Sequence, residues 1–268
     1  MKQLSFIIIV SLTSMVSLAC EENEPDDLPQ LIGSFNDDNR IEITQRAGET
    51  IILAYNGDLI FVEIRYDYAA SCYRPTFIEI DSTFIVNEEY FDDDCEGSSE
   101  FLFRVPTPFD IIFNGISSDL SVLWGSGYYD FTSISGSFTA DSLAGSFDVS
   151  TTSGNIQLND VVIENQSFLT SHSGNVEVSL AESPGGSINM SGSSGGIILN
   201  YDGNTVEGYF EFTARKDLGS ISSPYPFDLE EEFTENSIVY RKKSFNRSGE
   251  TPRIILATDS GSVKLLLN

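Results

Sequence analysis

Thr151-Thr152-Ser153-Gly154-Asn155-Ile156-Gln157-Leu158 is one copy of a repeating unit: small, small, Ser, Gly, small, apolar, polar, apolar. Near-copies are Ser171-His172-Ser173-Gly174-Asn175-Val176-Glu177-Val178 and Gly192-Ser193-Ser194-Gly195-Gly196-Ile197-Ile198-Leu199. A fourth, Thr258-Asp259-Ser260-Gly261-Ser262-Val263-Lys264-Leu265, closes the chain. The glycines lie 20, then 21, then 66 residues apart. Such a period predicts an all-β chain, a single-stranded parallel β-solenoid (β-helix) with short strands stacked rung on rung. Between turns, strands point one residue in and the next out. Ile156, Val176 and Ile197 then form one core ladder, and Leu158, Val178 and Leu199 the next. Gly is expected in the turns for backbone angles other residues resist, and Ser and Asn for hydrogen bonds to turn amides.

Outward from the repeat, Val105-Pro106-Thr107-Pro108 marks a change of texture. After it, Ser, Gly, Thr and Asn alternate with apolar residues, and Ser135-Gly136-Ser137-Phe138 prefigures the repeat. At about 21 residues per rung, residues 105–268 give roughly eight rungs and a core about 40 Å long. Leu218-Gly219-Ser220-Ile221 reads as a degenerate copy and the next rung. Residues 222–235, with Glu230-Glu231-Glu232, read as a loop leaving the stack, and Ser237 to Tyr240 as a strand. The final copy is then the last rung, with an exposed edge. Residues 31–104 read as a β-rich N-terminal section continuous with the solenoid. Arg40 to Thr44 alternates as a strand, Ala47 to Thr50 is turn-like, and Ile51 to Tyr55 is a second strand. Asn56-Gly57 signals a hairpin into Leu59–Tyr68.

The N-terminus reads as an address. Met1-Lys2, an apolar run from Phe6 to Leu18, and Ala19-Cys20 form a signal peptide over residues 1–19, too short to span a membrane as a helix. Val16-Ser17-Leu18-Ala19-Cys20 resembles a bacterial lipobox, which would make Cys20 the lipidated residue. Residues 20–30 are acidic and almost without apolar side chains, as in a flexible tether. An acidic run directly after the Cys resembles a surface-export signal. The expected location is therefore the cell envelope, lipid-anchored to the outer membrane and surface-exposed.

The net charge is −27, from 14 Lys and Arg against 41 Asp and Glu. This excludes nucleic acid as a partner, because phosphate needs a basic face. Membrane contact is expected through the lipid anchor alone. Of three cysteines, Cys20 is assigned to the lipid, and Cys72 with Cys95 are expected to pair in an oxidising compartment. That closure is worth about 3 kcal/mol in the chain-entropy picture.

Val105-Pro106, a strand, then recurring Ser-Gly copies to the C-terminus resemble the bacterial "putative adhesin" family. Its members carry a domain of unknown function, and related ones are described as auto-transporter-adhesin-like with a head domain. The resemblance implies a parallel β-solenoid and an envelope location.

No catalytic or metal site and no cofactor is expected. His172, the single histidine, lies in a repeat turn without a nucleophile constellation. Asp110, Asp119, Asp130, Asp141 and Asp148 are irregularly spaced. Glu88-Glu89 with Asp92-Asp93-Asp94 and Glu96 lacks the spacing and the Gly of a calcium loop and reads as a solvated acidic loop. Trp124, Tyr128 and Tyr129, in a glycine-broken cluster, form the candidate binding patch, suited to a glycan or a surface protein. The reading is a non-enzymatic envelope lipoprotein displaying a solenoid for adhesion or envelope interaction. Its alternative is a glycan-binding or glycan-cleaving accessory protein.

Overall fold

The structure, a computed structural model, describes residues 30–35 and 40–268. The expected signal peptide, lipidated Cys20 and nearly all of the tether lie outside the described residues. Six strands precede the solenoid repeats: β1 (Gln30–Phe35), β2 (Arg40–Tyr55), β3 (Ile60–Tyr66), β4 (Tyr73–Ile80), β5 (Thr83–Tyr90) and β6 (Ser99–Pro106). The repeats are β7 (Asp110–Ser133), β8 (Phe138–Thr151), β9 (Ile156–Ile163), β10 (Ser167–Ser171), β11 (Val176–Leu180), β12 (Ile188–Gly192) and β13 (Ile197–Asn200). The chain ends with β14 (Gly208–Arg215), β15 (Ser220–Ser222), β16 (Leu229–Glu235), β17 (Ile238–Arg247), β18 (Arg253–Thr258) and β19 (Ser262–Leu266). All belong to one curled, mostly parallel sheet, and no helix occurs among the described residues.

One core ladder runs the length of the stack: Phe101, Thr50, Leu120, Phe138, Ile156, Val176, Ile197, Val263, Ile221. Nine levels at about 4.8 Å give a stack about 38 Å long. The expected ladders of Ile156–Val176–Ile197 and Leu158–Val178–Leu199 are both present. The rung is 18 residues at first, with Leu120 against Phe138 and Phe138 against Ile156. It lengthens to 20 and 21 as extra residues bulge between β9 and β10, then between β11 and β12. Stacked rings fill the interior: Phe113 on Phe131 at 5.3 Å, Tyr129 on Phe147 at 5.1 Å. Burying each such side chain contributes about 1.5–3 kcal/mol.

The repeat glycines work differently from expectation. Gly154 and Gly174 have no positive φ. They are glycine because the rungs close in: a Cβ on Gly174 would stand 1.9 Å from the Gly154 carbonyl oxygen, and one on Gly154 1.8 Å from that of Gly136. The hydroxyl three residues earlier stitches the same corner. Ser171 Oγ donates to the Gly154 carbonyl at 2.7 Å and accepts from Gly174 N at 2.9 Å. Thr151 does the same between Gly136 and Gly154. Asn155 and Asn175 form a third ladder, each Oδ1 accepting the amide one rung on at 2.9 Å.

Chain order and stacking order part company at both ends. β2 is one bent strand: Ala47 to Thr50 is a corner, where Gly48 lets the Ser99 carbonyl approach and Gln45 bridges Ser99 and Thr50. β2 lies between β7 on one side and β5 with β6 on the other. Asn56-Gly57 therefore makes a turn without a hairpin, since β3 pairs antiparallel with β6 and β1. At the far end, β18 and β19 slot between β12–β13 and β14–β15, parallel to both. The final repeat copy is an interior rung, and the copy at Gly219 sits outside it. The expected loop at 222–235 is half strand, since Leu229–Glu235 is β16, while the strand expected at 237–240 opens β17. Together they form the β16–β17 hairpin, antiparallel on β14, which covers the end of the stack. Antiparallel strands at both ends protect the parallel edges from further stacking.

Candidate functional site

One corner of the stack turns through left-handed residues in three successive rungs: Trp124 (φ 55), Ser142 (φ 57) and Asp160 (φ 52). Sheet pairing skips this position, passing from Leu123–Asp141 to Gly125–Leu143. The conformation costs an L-residue about 1–2 kcal/mol, eased for short polar side chains that bond locally. Ser142 does so, donating to Asp141 Oδ1 at 2.7 Å. Trp124 has no such compensation and stands 55% exposed. The fold needs a turn residue there, and the chain places its single tryptophan.

Beyond the corner, alternation sends Ser126 and Tyr128 outward with Trp124. Gly125 and Gly127 point inward, where Gly127 lets the Phe109 carbonyl approach the strand. Ala144 and Ser146 on the next rung lie against Ser126 and Tyr128, so the two rings flank a floor of small side chains. Tyr128 N donates to Asp110 Oδ1 at 2.9 Å. Burial and then the Asp130 and Asp148 carboxylates push the Tyr128 hydroxyl upward, so it stays protonated. Asp130 and Asp148 pair across adjacent rungs, and burial followed by the Asp148 charge pushes the Asp130 carboxyl upward. Among the described residues neither carboxylate has a basic partner, while Arg40 reaches Asp110 at 4.0 Å.

Tyr129 must be removed from the candidate patch. It is 1% exposed and stacks inside the core, because its neighbour Tyr128 takes the outward place. The five aspartates divide. Asp110, Asp130 and Asp148 converge on Tyr128; Asp119 caps Ser137 N at 2.7 Å; Asp141 holds Ser142. The 18-residue rung sets Asp110 beside Tyr128 and Asp130 beside Asp148, and an irregular linear spacing conceals it.

Cys72 and Cys95 form a disulfide, with Cα atoms 5.7 Å apart. The acidic stretch beside it is largely taken up by structure. Glu88 accepts from Tyr73 Oη at 2.9 Å, from Arg46 N at 2.6 Å, and from Tyr90 and Ser99 hydroxyls. Glu89 pairs with Arg74, and Asp92 caps Asp94 N. This hub joins β2, β4, β5 and β6, and nothing local in the sequence announces it. His172 Nδ1 lies 3.0 Å from Ser193 Oγ on the next rung, an exposed corner contact. Among the described residues, no group of three or more His, Cys, Asp or Glu is arranged to hold a metal, and no helix is long and apolar enough to cross a membrane. An open depression of about 230 Å³ lies over Ile51 and Leu102, rimmed by the Arg65–Glu100 ion pair.

Residues 112–209, most of the regular stack, match the Toastrack DUF4097 family. No curated protein matches the chain. A solved structure described as a "putative adhesin" from Bacteroides fragilis aligns over 90% of this chain and 99% of its own, at 12% identity and a TM-score of 0.42. Another, a "putative cell adhesion protein" from Clostridium sporogenes, aligns over 90% of this chain and 100% of its own, at 11% identity and a TM-score of 0.33. The stretch from β7 to the start of β14 is thus similar to a Toastrack domain, a solenoid-like β-fold.

Proposed function

We propose that this chain is a non-enzymatic recognition module of the cell envelope, held by a lipid on Cys20 and engaging a surface partner through the Trp124 corner. One observation carries the reading: an exposed tryptophan occupies a left-handed corner where the two following rungs use Ser142 and Asp160. Residues kept against local preference mark function more often than fold. A stack of hydrogen-bonded rungs suits contact with an extended partner. The rungs hold Trp124 and Tyr128 in place before any ligand arrives, which limits the ordering cost of binding. The test is an array of glycans and surface proteins probed with the purified chain and with Trp124→Asn, which keeps a residue tolerant of the corner. A ligand lost in the variant supports the reading; an array whose every signal survives the change overturns it. The anchor is tested apart, by palmitate labelling of the full chain and of Cys20→Ala.

The Asp130–Asp148 pair favours a second reading, a glycan-cleaving protein. Two carboxylates on neighbouring rungs, one pushed upward, could serve as acid and nucleophile. No new reducing ends after incubation with a polysaccharide panel would remove it.

A further inference from the structure

The surface around Trp124 also narrows what can bind there. Trp124 stands at the corner and Tyr128 points outward four residues along the strand that leaves it, so up to about 13 Å separates them. That span suits an oligomer and exceeds a single sugar ring. Between them the floor is Ser126, Ala144 and Ser146, small side chains, two of which carry hydroxyls. Both edges of the strand are already in use: Phe109 N donates to Ser126 O at 3.0 Å on one side, and β8 pairs along the other. A peptide has no free edge on which to add as a strand, the usual source of main-chain affinity on a sheet. Aromatic rings over a hydroxyl-bearing floor suit stacking and hydrogen bonding of sugar rings instead.

Charge selects further. Asp110, Asp130 and Asp148 all act on Tyr128, and Asp130 and Asp148 stand side by side on adjacent rungs with no basic partner among the described residues. Sulfated, phosphorylated or uronic polymers are repelled by such a face. A protonated amine meets the opposite situation: it relieves the repulsion between the two carboxylates and is attracted to an adjacent aromatic face.

We infer that the Trp124–Tyr128 corner binds a glycan bearing free, protonated amino groups, an amino-sugar polymer stacked on the two rings with its ammonium groups at Asp130 and Asp148. The inference rests on the recognition reading above and adds the ligand class.

The test is titration calorimetry on the purified chain with three probes: a β-1,4-glucosamine hexamer, its fully N-acetylated counterpart, and hexalysine. The glucosamine hexamer is expected to bind at least tenfold more tightly than the other two. Trp124→Asn should weaken it at least tenfold. Asp130→Asn with Asp148→Asn should bring it down to the level of the acetylated hexamer, with unchanged circular dichroism showing that the stack is intact. No binding of the glucosamine hexamer, undiminished binding by Trp124→Asn, or equal binding of hexalysine would each overturn the inference. If the array yields a Trp124-dependent ligand while the glucosamine hexamer fails, recognition stands and the ligand class falls. If no array ligand depends on Trp124, both fall.

Discussion

Gly261 sits directly on Gly195, although 66 residues of chain separate them: a Cβ on Gly261 would stand 1.8 Å from the Gly195 carbonyl oxygen. The chain passes this level, builds the outer rung β14–β15 and the β16–β17 hairpin, then returns to fill the gap. The last strands are therefore interior, hydrogen-bonded on both edges. Deleting residues 253–268 should remove a floor from inside the stack. The expected result is loss of the cap, with Phe210 and Phe212 exposed, seen as dye binding and early proteolysis near residues 208–247. A truncated protein with an unchanged urea midpoint would contradict this placement.

Close approach at the glycine corner predicts a position-specific response. Gly174→Ala should force the rungs apart and destabilise by about 1–3 kcal/mol, as overpacking does. Gly185 is the control. Its nearest neighbour to a Cβ is the Glu164 carbonyl at 3.5 Å and its φ is not positive, so Gly185→Ala should leave the urea midpoint nearly unchanged.

The hydroxyl stitch predicts a comparable loss without any clash. Ser171→Ala leaves Gly174 N and the Gly154 carbonyl buried without this partner. Each orphaned group costs about 1–3 kcal/mol. Denaturant unfolding of Ser171→Ala beside Ser191→Ala, an outward-facing position, separates the corner role from loss of a surface hydroxyl.

Among the described residues, Tyr129 and Tyr201 carry buried hydroxyls with no hydrogen-bond partner. Tyr129→Phe and Tyr201→Phe should be neutral or stabilising by up to about 1–3 kcal/mol, since the desolvated hydroxyl is removed while the ring stays. Burial holds both hydroxyls above the ordinary tyrosine value. A group whose folded value is raised gives stability that is complete below its unfolded value and is lost as pH climbs past it. Stability should therefore fall above about pH 10, the unfolded tyrosine value. The double Phe variant should show a shallower alkaline decline in thermal melts recorded between neutral pH and pH 11.

Trp124 offers a prediction in which stability and recognition move oppositely. Trp124→Asn relieves part of a left-handed penalty of about 1–2 kcal/mol, so the variant should melt at the same temperature or higher while losing ligand. A large drop in melting temperature would mean that the indole supports the fold, and the corner would lose its functional meaning.

Much of the architecture was legible because a solenoid writes its period into the chain. Ile156, Val176 and Ile197 recur with their Ser-Gly corner, and stacking identical corners needs identical residues. The pairing of Cys72 with Cys95 was legible for a chemical reason, two cysteines in an oxidising setting. The candidate patch was legible only in part. Composition found Trp124 and Tyr128, but Tyr129 belongs to the core, since neighbours on a strand face opposite ways and the glycine-broken run concealed the phase. Glu88 was read as part of a solvated acidic loop, yet its partners come from residues 46, 73 and 99, on strands far apart in sequence.

What the sequence determined by itself is the local rule: which residues turn, which point inward, and that parallel rungs repeat. Those depend on neighbours within one rung, which the repeat spells out. Only the tertiary structure decided the order of the levels, the capping of both ends, and the reason for the glycines. Thr151-Thr152-Ser153-Gly154 shows why. Its Gly is required by the Gly136 carbonyl of the rung beneath and its Thr151 by the same group, a contact that exists once the levels are stacked. A strand inserted between two others, as β18–β19 is, carries the same inward-outward pattern as an end strand, so pattern alone cannot assign its level.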